Sequence, residues 1–139
     1  MAEGGRTAPL SQEVSVAMAA GTAERVLLGG AINGPPASVS LEFEASQAFP
    51  LVTLVTMIAP SPDWFVGVSG LPLVENGQWV QERRIDLLPW DAGTDSGVTF
   101  ESADVVTTPA QGVSPIVTAP LSPAGRMTPL GTFTFTRLE

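Results

Sequence analysis

Thirteen prolines and fourteen glycines are scattered through the 139 residues of this chain. Proline breaks helix interiors and central strands, and glycine weakens both, so the chain is cut into short segments joined by turns. Charged residues make up only 14% of it and hydrophobic residues 44%. That is too apolar for a disordered chain and too short for more than one core. Few charges, many turn-formers and abundant Val and Thr point to a β-rich globular fold. The longest apolar run, around Leu51–Pro60, is strand-sized and broken by Thr53 and Thr56. It falls well short of the ~18–20 residues of a membrane span.

Missing residue types exclude whole classes of chemistry. There is no Cys, His or Tyr, and all six basic residues are Arg. Disulfides, thiol nucleophiles and thiolate-held metals are therefore absent. So are the Ser–His–Asp triad and the HExxH zinc site. A net charge of −8 argues against nucleic-acid binding, which needs clustered basic residues. It also argues against anionic membranes unless a cation bridges the two. Carboxylate chemistry, oxygen-ligated metals and recognition without chemistry remain. Residues 1–6 lack the apolar core of a signal peptide.

One helix is expected, and it comes first. Thr7 is positioned as its N-cap, Pro9 in the first turn and Glu13 early, with Gly21 as its end. Leu10, Val14, Ala17 and Met18 recur on one face, as in a helix packed on a sheet. From Glu24 onward the period becomes two. Val39, Leu41 and Phe43 alternate with Ser38, Ser40, Glu42 and Glu44, a half-buried strand with acids on its polar side. Leu51–Ala59 reads as a strand covered on both faces, and Trp64–Val68 as a short one. Asn76-Gly77 inside Leu73–Gln78 signals a two-residue type I′ hairpin with Trp79–Leu88 as the return strand. Gly97–Phe100 and Thr132–Leu138 are expected as further strands. Pro109–Pro129, with five prolines, is expected as a long surface connection. The expected architecture is a single all-β domain over residues 1–139: a helical segment at 1–22, then an antiparallel β-sandwich over 24–139.

Three segments carry acids in suggestive places: Pro60–Phe65 around Asp63, Pro89–Gly97 around Asp91 and Asp95, and the strand bearing Glu42 and Glu44. Each has an ordinary structural explanation, since Asp and Gly in loops make Asx-turns and strand acids are usually solvated. Their functional reading is convergence on one hard cation, because loops cluster at the ends of a sandwich and calcium takes 6–8 oxygen ligands. The stretch after Asp91 is not an EF-hand, with Gly93, Gly97 and Ser102 at its third, seventh and twelfth places. Asp95-Ser96-Gly97 matches the tripeptide of dimeric aspartic proteases without the apolar strand that precedes it there. A glycosidase carboxylate pair is a further alternative.

The runs Ser61-Pro62-Asp63-Trp64-Phe65-Val66-Gly67-Val68, Glu75-Asn76-Gly77 with Trp79, and Asp86–Gly97, which contains Pro89-Trp90-Asp91-Ala92-Gly93-Thr94-Asp95-Ser96-Gly97, resemble the spondin domain. This module occurs in animal extracellular-matrix proteins and in bacteria. The resemblance runs from about Glu44 to Glu101 and continues more weakly to the last strand. It implies a C2-like antiparallel sandwich and a bound calcium ion held by Glu44, Asp63 and Asp91, with the Ile58 carbonyl as a further donor. Beside such an ion, Asp95 is expected to shape the loop by accepting backbone hydrogen bonds. It also implies a non-enzymatic, secreted, periplasmic or cell-surface module acting in adhesion or in recognition of a protein or glycan. A calcium-bridged membrane binder is the next expectation. Two departures stand out. Val74 replaces a cysteine of the animal members. By the same resemblance an opening strand upstream of the helix is expected to be missing, which would leave an edge for self-association.

Overall fold

A computed structural model describes residues 5–34 and 36–139. Every strand pairing in it is antiparallel, and there is one helix, at the N-terminal end. This is the all-β class with a single N-terminal helix that the alternating segments predict. By their contacts, the described residues fall into two units: Thr7–Pro50, and Leu51–Glu139 together with Gly5 and Arg6.

The first unit holds α1, Ala8–Ala19. Pro9 lies in its first turn, as expected. Thr7 occupies the N-cap position, yet its side chain makes no capping bond, because its own backbone is already helical at φ −80° and ψ −18°. Glu13 lies beyond the first turn, which carries no acid. The C-terminal end is a Schellman motif. Gly21 N–H donates to Met18 O at 3.0 Å and Thr22 N–H to Ala17 O at 2.9 Å, satisfying carbonyls that the helix leaves unpaired. The strand expected at Val39–Phe43 is not formed. Val39 and Leu41 remain about half exposed. Alternation creates a strand only where a neighbour accepts its backbone bonds and a core accepts its apolar face, and neither is present among the described residues of this unit.

In the second unit β1 (Leu51–Met57), β2 (Trp64–Pro72), β6 (Pro89–Asp91) and β7 (Ser114–Pro115) form a sheet in the order β1-β2-β6-β7. β1 is at one edge, and Leu51 is exposed rather than covered. Between the pairs Val52↔Leu71 and Leu54↔Val68 the β2 side carries one extra residue, a bulge. β3 (Val74–Glu75) and β4 (Gln78–Trp79) form the expected hairpin turn, but the return strand expected at Trp79–Leu88 ends at Trp79, and the residues beyond it pair elsewhere. Its turn residues Asn76 and Gly77 take φ of +50° and +76°, as type I′ geometry requires. β5 (Glu82–Asp86) pairs with β8 (Thr132–Thr136), bringing Ile85 opposite Phe133 and Arg83 opposite Phe135 on the half-buried side.

Two expectations fail here for local reasons. Gly97–Phe100 is not a strand. Gly97 N–H is taken by Asp95 Oδ1, and the amides of Val98 and Thr99 are taken by Ser102 Oγ. These short side-chain bonds use the donors that a ladder would need. The connection at Pro109–Pro129 is mostly exposed, but Ile116, Leu121 and Ser122 are buried in it. Ile116 and Leu121 form the core cluster with Trp64, with Ile58 packed against it. Phe100 meets the Trp64 ring edge-on, with centroids 5.5 Å apart.

Candidate functional site

The β2–β6 register sets Trp64 opposite Asp91. Asp63, immediately before β2, is thereby brought beside the end of β6, and its carbonyl accepts the Ala92 N–H at 3.3 Å. Residues 27 and 29 positions apart in sequence thus meet because two short strands pair. The turn leading into Asp63 is closed by Ile58 N–H donating to Trp64 O at 2.9 Å. The Ser61 hydroxyl donates to the Ile58 carbonyl, so the oxygen expected as an ion ligand already carries a turn bond.

Asp63 has no solvent exposure. Its Oδ2 accepts three bonds: from Thr94 N–H at 2.6 Å, Thr94 Oγ1 at 2.9 Å and Asp95 N–H at 3.0 Å. Its Oδ1 is buried and has no partner among the described residues. An unpartnered oxygen on a buried carboxylate is costly, because neither water nor a donor replaces the lost hydration. Asp91 Oδ1 accepts the Gly93 N–H at 2.7 Å, an Asx-turn. Gly93 takes φ +76°, and a Cβ there would lie 2.5 Å from the Gln111 carbonyl oxygen. The Gly93 carbonyl in turn accepts the Gln111 N–H at 2.8 Å. Only glycine combines that φ with that approach.

The structure draws in a third acid. Asp95 is 3% exposed, with Oδ1 accepting from Gly97 N–H at 2.6 Å and Oδ2 from Val105 N–H at 2.7 Å. The loop-shaping role expected from the sequence is visible in these two bonds. They also engage both oxygens of the acid on which a protease reading rests. Burial raises the Asp91 carboxyl above its ordinary value of 3.8, the Gly93 N–H bond opposes this, and the charges of Asp63 and Asp95 raise it further. Neither ion pair among the described residues involves these three acids. Two like charges ~4 Å apart repel by about 4 kcal/mol at an effective dielectric of about 20. A hard cation reverses the sign of that interaction.

Glu44 belongs to the Thr7–Pro50 unit. Its side chain is 91% exposed and lies 3.6 Å from the Arg25 guanidinium. Among the described residues no group of three or more acidic side chains is arranged to hold a metal ion by itself. Backbone carbonyls and water must complete any ion's shell. A cavity of about 240 Å³ opens beside Asp91, with Trp64 and Ile116 among its apolar walls and Ser114 and Thr118 among its polar ones. Sequence reasoning missed Thr94. Its only signal was a hydroxyl residue between a glycine and an acid, which describes many turns.

Comparison with known proteins gives a consistent result. The family described as Spondin_N matches residues 1–126. Spondin-2 of Homo sapiens is 37% identical over 139 residues, 99% of this chain and 40% of that protein. Spondin-2 of Rattus norvegicus is 41% identical over 109 residues, 72% of this chain and 33% of the relative. Spondin-1 of Gallus gallus is 46% identical over 81 residues, 58% of this chain and 10% of the relative. The chain therefore spans two fifths or less of each of these longer proteins. A match that covers nine tenths of the sequence settles its kinship: the chain belongs to the Spondin_N family.

Proposed function

We propose that this domain is a non-enzymatic, calcium-binding recognition module that works outside the cell, in adhesion or in recognition of a protein or glycan partner. The observation that supports calcium most strongly is Asp63 Oδ1, a fully buried carboxylate oxygen without a donor among the described residues. Asp91 stands next to it with only one oxygen engaged by the described residues, and Asp95 adds a third negative charge to the cluster. All available donors are oxygen, which suits a hard ion and not a soft one. Asp63 and Asp91 would hold the ion, which supplies positive charge and fixes the two loops that carry them. The domain's part is to orient those oxygens and to keep water from Asp63. Kinship with Spondin-1 and Spondin-2 supports the extracellular setting.

With so few carboxylates the affinity belongs with extracellular modules, at a Kd of about 0.1–1 mM. The test is thermal unfolding in saturating calcium and in chelator. At 100 times Kd the ion contributes about 2.7 kcal/mol of stability. An unchanged melting temperature removes the calcium reading.

A further inference from the structure

We propose that Thr94 is the positioning residue of the cation site: with the Asp95 amide it clamps one oxygen of Asp63 and leaves the other as the only oxygen that this carboxylate can give to an ion. The inference rests on the calcium reading above and goes beyond it by assigning a role to a residue that touches no ion. Thr94 contributes two of the three donors on Oδ2, one from its backbone at 2.6 Å and one from its hydroxyl at 2.9 Å. Asp95 N–H supplies the third at 3.0 Å. A carboxylate oxygen with three donors has no lone pair free for a metal. Charge-assisted bonds of this kind fix the plane of the group as well as its charge. Oδ1 has no donor among the described residues, and ligation by Asp63 is then monodentate.

The clamp is itself held. Thr94 O accepts the Thr107 N–H at 2.8 Å, and Ser96 N–H donates to Val105 O at 2.9 Å. Asp95 Oδ2 accepts the Val105 N–H at 2.7 Å. The segment that positions Asp63 is therefore tied at both ends to residues 105–107. Outer partners of metal ligands typically change affinity about 10–100-fold when removed. Here the hydroxyl can be deleted without changing the shape of the side chain.

The experiment compares wild type, Thr94→Val and Thr94→Ser by calorimetric calcium titration, with melting in chelator as the measure of folding. Thr94→Val is expected to weaken calcium binding at least about ten-fold among folded molecules, and Thr94→Ser to restore it. A purely structural role would lower the melting temperature in chelator and leave Kd unchanged. That outcome overturns the inference and leaves the calcium reading standing. A wild-type domain that takes up no calcium overturns both. Should Thr94→Val fail to fold, hydrogen exchange on wild type decides. Calcium is expected to slow exchange at the Thr94 and Asp95 amides more than at the Gly77 amide of the hairpin. Equal effects at the two places overturn the inference.

Discussion

Glu44 and Asp63 are both acids, and the same resemblance assigns both to one ion, yet the chain treats them in opposite ways. Glu44 stands in water beside Arg25 in a unit that holds no strand among its described residues. Asp63 is buried where two strands pair and is bonded by three donors from a loop 31 and 32 residues away. What separates them is the supply of main-chain donors. The loop after Asp91 points its amides at carboxylates, whereas residues 38–44 form no backbone ladder. A carboxylate is worth burying only where such donors, or a cation, replace its water.

That contrast can be broken, beginning with the largest effect. Asp63→Ala leaves three donors without an acceptor and should cost about 3 kcal/mol or more in chelator by urea unfolding, since each buried unsatisfied donor costs ~1–3 kcal/mol. A loss near zero would mean that the clamp carries no stability. Gly93→Ala forces a Cβ onto Gln111 at a positive φ and should cost about 2 kcal/mol, from the left-handed backbone and the overlap together. Full stability in that variant would show that the loop can relax.

Asp91 sharpens the comparison through pH. Its carboxyl is raised mainly by burial, so the folded form holds this proton to higher pH than the unfolded chain does. Its contribution favours folding below the ordinary value and is lost as pH rises through the raised one. In chelator at neutral pH, Asp91→Asn should therefore melt no lower than wild type, while losing the stabilisation by calcium. A clearly lower melting temperature in chelator would show that the charge itself is structural. The smallest effect belongs to Glu44→Gln, within about 0.5 kcal/mol, as for exposed ion pairs generally. Its calcium Kd carries more information: a loss as large as that of Asp91→Asn makes Glu44 a ligand, and no change leaves the ion to the acids of the loops.

The same contrast explains what was legible in the sequence. Asn76-Gly77 fixed its hairpin because the turn demands positive φ at both places, a property of the residues themselves. Phe133 and Phe135 alternate with threonines and found a partner in β5. Trp64 opens a segment that was readable as a strand, and it is buried. Val39–Phe43 has equally good alternation and no partner among the described residues, and a partner cannot be read from one segment. Val98 and Thr99 were lost to the sheet because Ser102 competes for their amides, a bond decided by loop geometry. Ile116 and Leu121 were hidden in a proline-rich stretch whose composition resembles a surface connection, although both enter the core. At the site, the acids were legible by type. Thr94 and the burial of Asp95 were not, since they depend on contacts across more than thirty residues in one case and on loop closure in the other.

Titrating calcium into the chelator-stripped wild-type domain by calorimetry measures the central claim most directly. One saturable ion per chain is expected, with a Kd of about 0.1–1 mM, and its binding should vanish in Asp63→Asn. An absence of binding heat in wild type at any tested temperature, or an isotherm that Asp63→Asn leaves unaltered, would contradict it.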